Sequence, residues 1–230
     1  MVEPFIPQSD PRPNDSVWPQ LLWPLPDDAA LTGQLVRLTP SRATDAAELY
    51  SALDHDAVWA HVAGRPRDPQ TFADRISAKA STTRQQWTMR TLREHRGIPA
   101  GSVIGSTSFL DVQPENAALE IGSTTYTPAV WSGPVNPETK LLLLDYAFDV
   151  VNAGRVQLKT DVRNQRSQRA IERLGARYEG VLRRHMRRED GTMRDTVMFS
   201  IIAEEWPAVR SALKIRVEAA LAAEQAVALN

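Results

Sequence analysis

The sequence contains no cysteine, which excludes disulfides, thiolate metal sites and a cysteine nucleophile. Its four histidines (His55, His61, His95, His185) are scattered without metal-ligand spacing, so no metal is expected. There is no Gly-x-x-x-x-Gly-Lys-Ser/Thr, and no Gly-x-Gly-x-x-Gly follows a strand-like run; the P-loop and the dinucleotide fingerprint are therefore absent. No run of about 18 apolar residues occurs, and Met1-Val2-Glu3-Pro4-Phe5 carries neither a basic nor an apolar signal region. A cytoplasmic protein with no membrane association is the expectation. A formal net charge of −1 likewise lacks the surplus of one sign that general nucleic-acid binding uses.

What remains is a chain of 230 residues, 42% hydrophobic and 24% charged, with six tryptophans. That suits one soluble domain with extensions. Residues 1–30 hold seven prolines interleaved with Phe5, Trp18 and Trp23, too broken for a helix and too aromatic for a free linker. We read them as an arm packed along a domain over 31–213, followed by a helical tail over 214–230.

Within the domain, Gly33 to Thr39 alternates as a first strand, and a helix follows through Leu53 with Ala47, Tyr50 and Leu53 near one face. A short helical turn over 57–62 and a helix opened by Asp68-Pro69 come next. The period then changes to two over Gln86 to Leu92, Gly101 to Leu110 and Ala118 to Tyr126, which predicts an antiparallel meander. A helix follows to about Val151, then a strand over Arg155 to Asp161, a helix over Gln165 to Leu174, a hairpin turning at Glu189-Asp190-Gly191, and a last helix from Trp206 to about Ala222. The strand, helix, strand order over 118–161 implies a right-handed parallel crossover.

The pivot of this pattern is the turn from Trp131 to Asn136. Asn136 is a good N-cap, and Pro137 would then take the first helical position, where its missing N–H costs nothing. The free N–H groups there, with those of Ser132, Gly133 and Val135, would converge at the positive end of a helix dipole, the arrangement that holds phosphates. Alone, the same residues also describe an ordinary capped helix.

Two motifs carry a resemblance. Val135-Asn136-Pro137-Glu138-x-Lys140, then Asn164-x-x-Ser167-x-x-Ala170-Ile171-x-x-Leu174-Gly175-Ala176 and Glu179-Gly180, resemble the GNAT superfamily of acetyl-CoA-dependent N-acetyltransferases, and within it the RimJ/RimL-type (ribosomal-protein-alanine acetyltransferase) branch. The match covers roughly Gly33 to Leu213. The first motif departs from the usual Gln/Arg-x-x-Gly-x-Gly/Ala, since Pro134 stands where glycine is common and removes one N–H donor.

The resemblance implies an α/β fold: a mixed, mostly antiparallel sheet of about seven strands, splayed between two central parallel strands and flanked by helices. It implies transfer of an acetyl group from acetyl-CoA to a primary amine, on a protein N-terminus or a small molecule, by direct attack on the thioester. A non-catalytic acyl-CoA sensor or scaffold is the competing reading. The resemblance makes Glu120 the group that takes the amine's proton, against a plain strand residue paired with an arginine. It assigns Thr125, Tyr126, Ser132, Gly133, Val135, Asn136, Asn164 and Ser167 to the cofactor, Asn164 serving also as a helix cap. Ser167 is the candidate proton donor to the departing thiolate, with Tyr178 the nearest tyrosine for that role. The arginines 166, 169 and 173, and 183, 184, 187 and 188, read as solvated basic faces or as partners for a phosphate of coenzyme A or an acidic partner. A monomer or homodimer is expected.

Overall fold

The computed structural model describes residues 6–7, 9–10, 17–78 and 83–228, with side chains through 226; Phe5 lies outside them. It is an α/β fold built on one open sheet of eight strands. In chain order these are β1 (Leu31–Thr32), β2 (Val36–Pro40), β3 (Gln85–Thr91), β4 (Val103–Gln113), β5 (Ala118–Tyr126), β6 (Arg155–Asp161), β7 (Arg177–Arg187) and β8 (Met193–Ile202). Their spatial order is β1-β2-β3-β4-β5-β6-β8-β7, and every neighbouring pair is antiparallel except β5 with β6.

The sheet has eight strands rather than about seven because a two-residue strand, Leu31–Thr32, precedes the expected first strand, which itself begins only at Val36. The Glu138 carboxylate accepts from the backbone N–H groups of Gln34 (2.6 Å), Leu35 (3.0 Å) and Val36 (3.0 Å). The chain turns there, and Leu31–Thr32 pairs back onto Leu38 and Arg37.

Residues paired across neighbouring strands share a face of the sheet. One face carries Trp87, Met89, Phe109, Leu119, Ile121, Val156, Leu158 and Ile201, all buried in the main core. It is covered by α4 (Val135–Asp145) and α6 (Trp206–Ala228), and Ile171 of α5 (Gln165–Glu172) joins the same core. Helix α4 does not stop cleanly but widens into a π-helical turn at Tyr146–Val150. Helix α6 runs beyond Ala222 because Ala219-Ala220-Leu221-Ala222-Ala223 has high helix propensity and no breaker. Leu213, Val217 and Leu221 supply its buried stripe.

The opposite face is covered over β2 to β4 by α1 (Ala46–Leu53) and α3 (Pro69–Ala78), with the short α2 (Asp56–Trp59) between them. Leu49, Leu53, Phe72 and Ile76 pack there with Val103. The end of the arm lies across the domain: Trp18 Nε1 donates to the carbonyl of Asn116 (2.8 Å), the Leu22 N–H to that of Val151 (2.8 Å), and Leu21 is buried.

Candidate active site

Strands β5 and β6 pair over only three positions, Ala118 with Arg155, Leu119 with Val156 and Glu120 with Gln157. Beyond them β5 continues to Tyr126 and β6 to Asp161 without meeting. The separation begins beside a bulge: the register of β5 against β4 shifts between Ser106 and Ser108, and Ser123 takes a left-handed φ of 48°. An extra residue bends and twists its strand. The β6-facing edge of β5 above Glu120 therefore has no strand partner, and its backbone groups are open to a ligand.

Glu120 stands where the two strands part, 2% exposed. Its partner is neither solvent nor an arginine but Lys159 of β6, whose Nζ lies 2.6 Å from Oε2, while Gln157 Nε2 donates to the same oxygen at 3.2 Å. Burial pushes the Glu120 carboxyl above the usual carboxylate range, opposed by the bond and charge of Lys159. Burial also works against the Lys159 ammonium, yet Glu120 and Asp111 outweigh it and hold that pKa above its ordinary value. Gly122 leaves the carboxylate its space, since a Cβ there would come within 2.6 Å of Glu120 Oε1.

From the α4 side a second ammonium reaches β5. Lys140 Nζ donates to Thr124 Oγ1 (2.8 Å), which in turn bonds Thr107 Oγ1 (2.8 Å). Burial lowers the Lys140 pKa to about 7, and the charge of Glu120 pulls it back upward.

The turn above β5 differs in detail from its sequence reading. Helix α4 begins at Val135 with Pro134 as its N-cap residue, so Asn136 is not the cap. Pro134, at φ −70° and ψ −19°, already has helical geometry, and it starts the helix two residues early. The Asn136 side chain instead accepts from the Tyr126 hydroxyl at 3.1 Å, and burial raises the Tyr126 phenol pKa. The donor set nevertheless persists. Among the described residues, the N–H groups of Ser132, Gly133, Val135 and Asn136 make no hydrogen bond within the protein, and they sit at the first turn of an 11-residue helix.

Side chains close around this turn. Arg96 donates to the carbonyl of Trp131 (2.8 Å) and pairs with Glu224 of α6. A Cβ at Gly133 would meet the Arg96 guanidinium at 2.9 Å. Across the gap, Arg166 of α5 lies over the Trp131 ring at 3.9 Å, so one member of the expected basic face spans the mouth of the splay.

Asn164 caps α5, its Oδ1 accepting from the Ser167 N–H at 3.0 Å. That places the Ser167 hydroxyl on the first turn of α5, half-buried, at the top of β6. Thr125 is buried against Ser106, Oγ to Oγ1 at 3.3 Å. Tyr178 is 58% exposed and packs edge-on against Phe199 on edge strand β7, two strands from the gap. Of the hairpin arginines, Arg188 makes a two-pronged pair with Asp161 (2.6 and 2.9 Å) and holds its carboxyl down at about 2. Arg163, Arg184 and Arg188 also line an open cavity of about 440 Å³. Lys159 and Gln157 had no role in the sequence reading, and Lys140 stood there only as a member of the first motif. The only signal for Lys159 was its place two residues after Gln157 on one strand face.

The comparisons agree with this geometry. The family described as "Acetyltransferase (GNAT) domain" matches residues 36–177. An uncharacterized N-acetyltransferase p20 of Bacillus licheniformis is 30% identical over 104 residues, 45% of this chain. The chain spans 57% and 65% of the lengths of the curated relatives it matches. A GCN5-related N-acetyltransferase from Brucella melitensis superposes with a TM-score of 0.77 at 29% identity, covering 87% of this chain and 90% of that one. Mycobacterium smegmatis RimJ, solved with CoA-disulfide, shares the fold with a TM-score of 0.69 at 20% identity, covering 83% and 95%. With more than half of its length matched and the parted parallel strands in place, the chain belongs to the GNAT acetyltransferase family.

Proposed function

We propose that the protein transfers an acetyl group from acetyl-CoA to a primary amine, which attacks the thioester directly without a covalent enzyme intermediate. The observation that carries this reading is the parted β5–β6 pair with the buried carboxylate of Glu120 at its base. The fit to the cosubstrate rests on two features: the four unbonded N–H groups over 132–136 at a helix N-terminus suit a diphosphate, and the unpaired β5 edge suits an amide-bearing arm. Acetyl-CoA supplies the thioester when bound.

Glu120 takes the proton that the ammonium must lose, directly or through a water, because a carboxylate with a raised pKa is a better base than a free one. Ser167 offers a hydroxyl proton to the departing sulfur. Thr125, Tyr126 and Asn164 line or cap the walls of the gap and position the arm. The finer assignment, to the RimJ/RimL-like branch with a protein N-terminus or a small amine as acceptor, draws on the two sequence motifs. The working unit spans 31–213, with the end of the arm lying on it through Leu21 and Leu22 and helix α6 continuing past it through Val217 and Leu221.

The test is timed release of free CoA thiol from acetyl-CoA with a panel of amines. Turnover that needs both substrates supports transfer. Tight CoA binding with no turnover across peptides, polyamines and amino acids would establish the sensor reading instead.

A further inference from the structure

The face of the sheet that carries Glu120 also carries two arginines with no obvious occupation. Ser108 pairs with Gln86 on one side and Gly122 on the other. The register therefore puts Arg84, just before β3, on the face of Ser108, Gly122 and Glu120. On the other side, Gln157 pairs with Ser200 and Asp161 with Thr196, so Arg194 of β8 shares that face too. Glu120 lies on the central strand, with β3 two strands to one side and β8 two strands to the other.

Both guanidiniums are half-buried, and in each the Nε is fully buried without a hydrogen-bond partner. Among the described residues Arg84 donates to the Ser108 hydroxyl at 3.1 Å. Neither Arg84 nor Arg194 has a carboxylate within ion-pair distance among the described residues. By contrast Lys159 pairs with both Glu120 and Asp111, and Arg188 with Asp161. Burial lowers the pKa of both arginines, opposed by Asp111 for Arg84 and by Asp161 and Glu120 for Arg194. An arginine stays charged regardless, and a buried cation with unfilled donors is costly unless something pairs with it. A planar guanidinium on the base's face of the sheet is suited to a carboxylate or phosphate.

The β7–β8 hairpin is also anchored at its tip. At the far end the hairpin turn is tied to the loop between α2 and α3, where the Gly64 N–H donates to Glu189 Oε1 at 2.5 Å.

We propose that the acceptor is a small amine carrying its own anionic group, a carboxylate or phosphate, which Arg194 on one side of Glu120 or Arg84 on the other holds while Glu120 faces the amine. This rests on the acetyl-transfer reading above and adds the acceptor's charge to it. A neutral or purely cationic amine leaves the two arginines unpaired, so the site discriminates against it.

The experiment compares matched acceptors: β-alanine with β-alaninamide, phosphoethanolamine with ethanolamine, and ω-amino acids from glycine to 6-aminohexanoate, the series that fixes the spacing. The anionic member of at least one pair should have a kcat/KM about tenfold or more above its neutral partner, the scale of one charge-assisted bond. In Arg194→Gln or in Arg84→Gln, whichever removes the arginine that holds the anion, that ratio should collapse, and Arg194→Lys or Arg84→Lys should recover part of it. Either Gln variant can still be read should the other fail to fold. Equal rates for charged and neutral acceptors, or a ratio unchanged in both variants, overturns the proposal while leaving acetyl transfer intact. A higher KM for acetyl-CoA with an unchanged acceptor ratio also overturns it, by assigning the arginines to the cosubstrate. Absence of turnover with every amine, with CoA bound, removes acetyl transfer itself.

Discussion

Glu120 Oε2 and Lys159 Nζ lie 2.6 Å apart across two strands that part just above them. The pair makes a testable base. Burial raises the Glu120 pKa and Lys159 restrains the rise, so activity should climb with pH along a limb above the ordinary value of 4.5. Lys159→Met removes the restraint and should move that limb to higher pH. Glu120→Gln should lower kcat by roughly 10² and abolish the limb, with acetyl-CoA affinity nearly unchanged. Wild-type turnover and an unaltered pH profile in Glu120→Gln would make the carboxylate structural, leaving proton removal to water and positioning as the main catalytic device.

Glu138 is the clearest purely structural carboxylate. It is 3% exposed and gathers three N–H groups from a turn more than 100 residues earlier in the chain. Glu138→Gln turns an amide donor toward those donors and should cost about 2–4 kcal/mol. Urea unfolding would read this as a lower midpoint at unchanged slope. A midpoint within error of the parent would mean the turn holds itself.

These two carboxylates mark what was and was not legible in the sequence. The strand, turn, helix and strand over 118–161 were readable because period-two and period-3.6 patterns and Gly/Pro punctuation are local. So was the Asn164 cap, whose bond spans three residues. Glu138 stood only as a member of the first motif, and its structural role was hidden because its partners are distant in sequence. The same distance hid β1, which pairs back onto β2 across the turn that Glu138 holds. Asn136 was misread for a local reason: a cap was inferred from residue type, but Pro134 has helical dihedrals and Tyr126 claims the Asn136 side chain. Lys159, Arg84 and Arg194 acquire meaning only from strand register, which composition does not encode.

The turn over 132–136 predicts a binding phenotype. Gly133→Glu adds bulk and negative charge beside the unbonded amides and against Arg96. Acetyl-CoA affinity should fall at least tenfold. The parent should gain thermal stability at millimolar CoA, since a ligand bound only by the folded state adds RT ln(1 + [L]/Kd), about 2.7 kcal/mol at a hundredfold excess over Kd. The variant should lose most of that shift. An equal shift in both proteins would reduce the turn to a helix start.

Lys140 predicts a pH dependence of stability with a definite sign. Its pKa is lowered from 10.5 to about 7 in the fold, whereas the unfolded chain keeps the proton to the ordinary value. Between those limits unfolding takes up a proton, so stability rises with pH there, by at most about 1.4 kcal/mol per pH unit for one proton. Below about 7 both states are protonated, and the cost of the buried ammonium is constant and fully present. Lys140→Met keeps the length and removes the charge, and Thr124 retains its bond to Thr107. In urea unfolding at pH 6, 8 and 9.5, the variant should therefore gain most over the parent at pH 6, with the difference shrinking as pH rises. A constant difference across the three would show that Lys140 stays charged in the fold, held by Glu120 strongly enough to offset its burial.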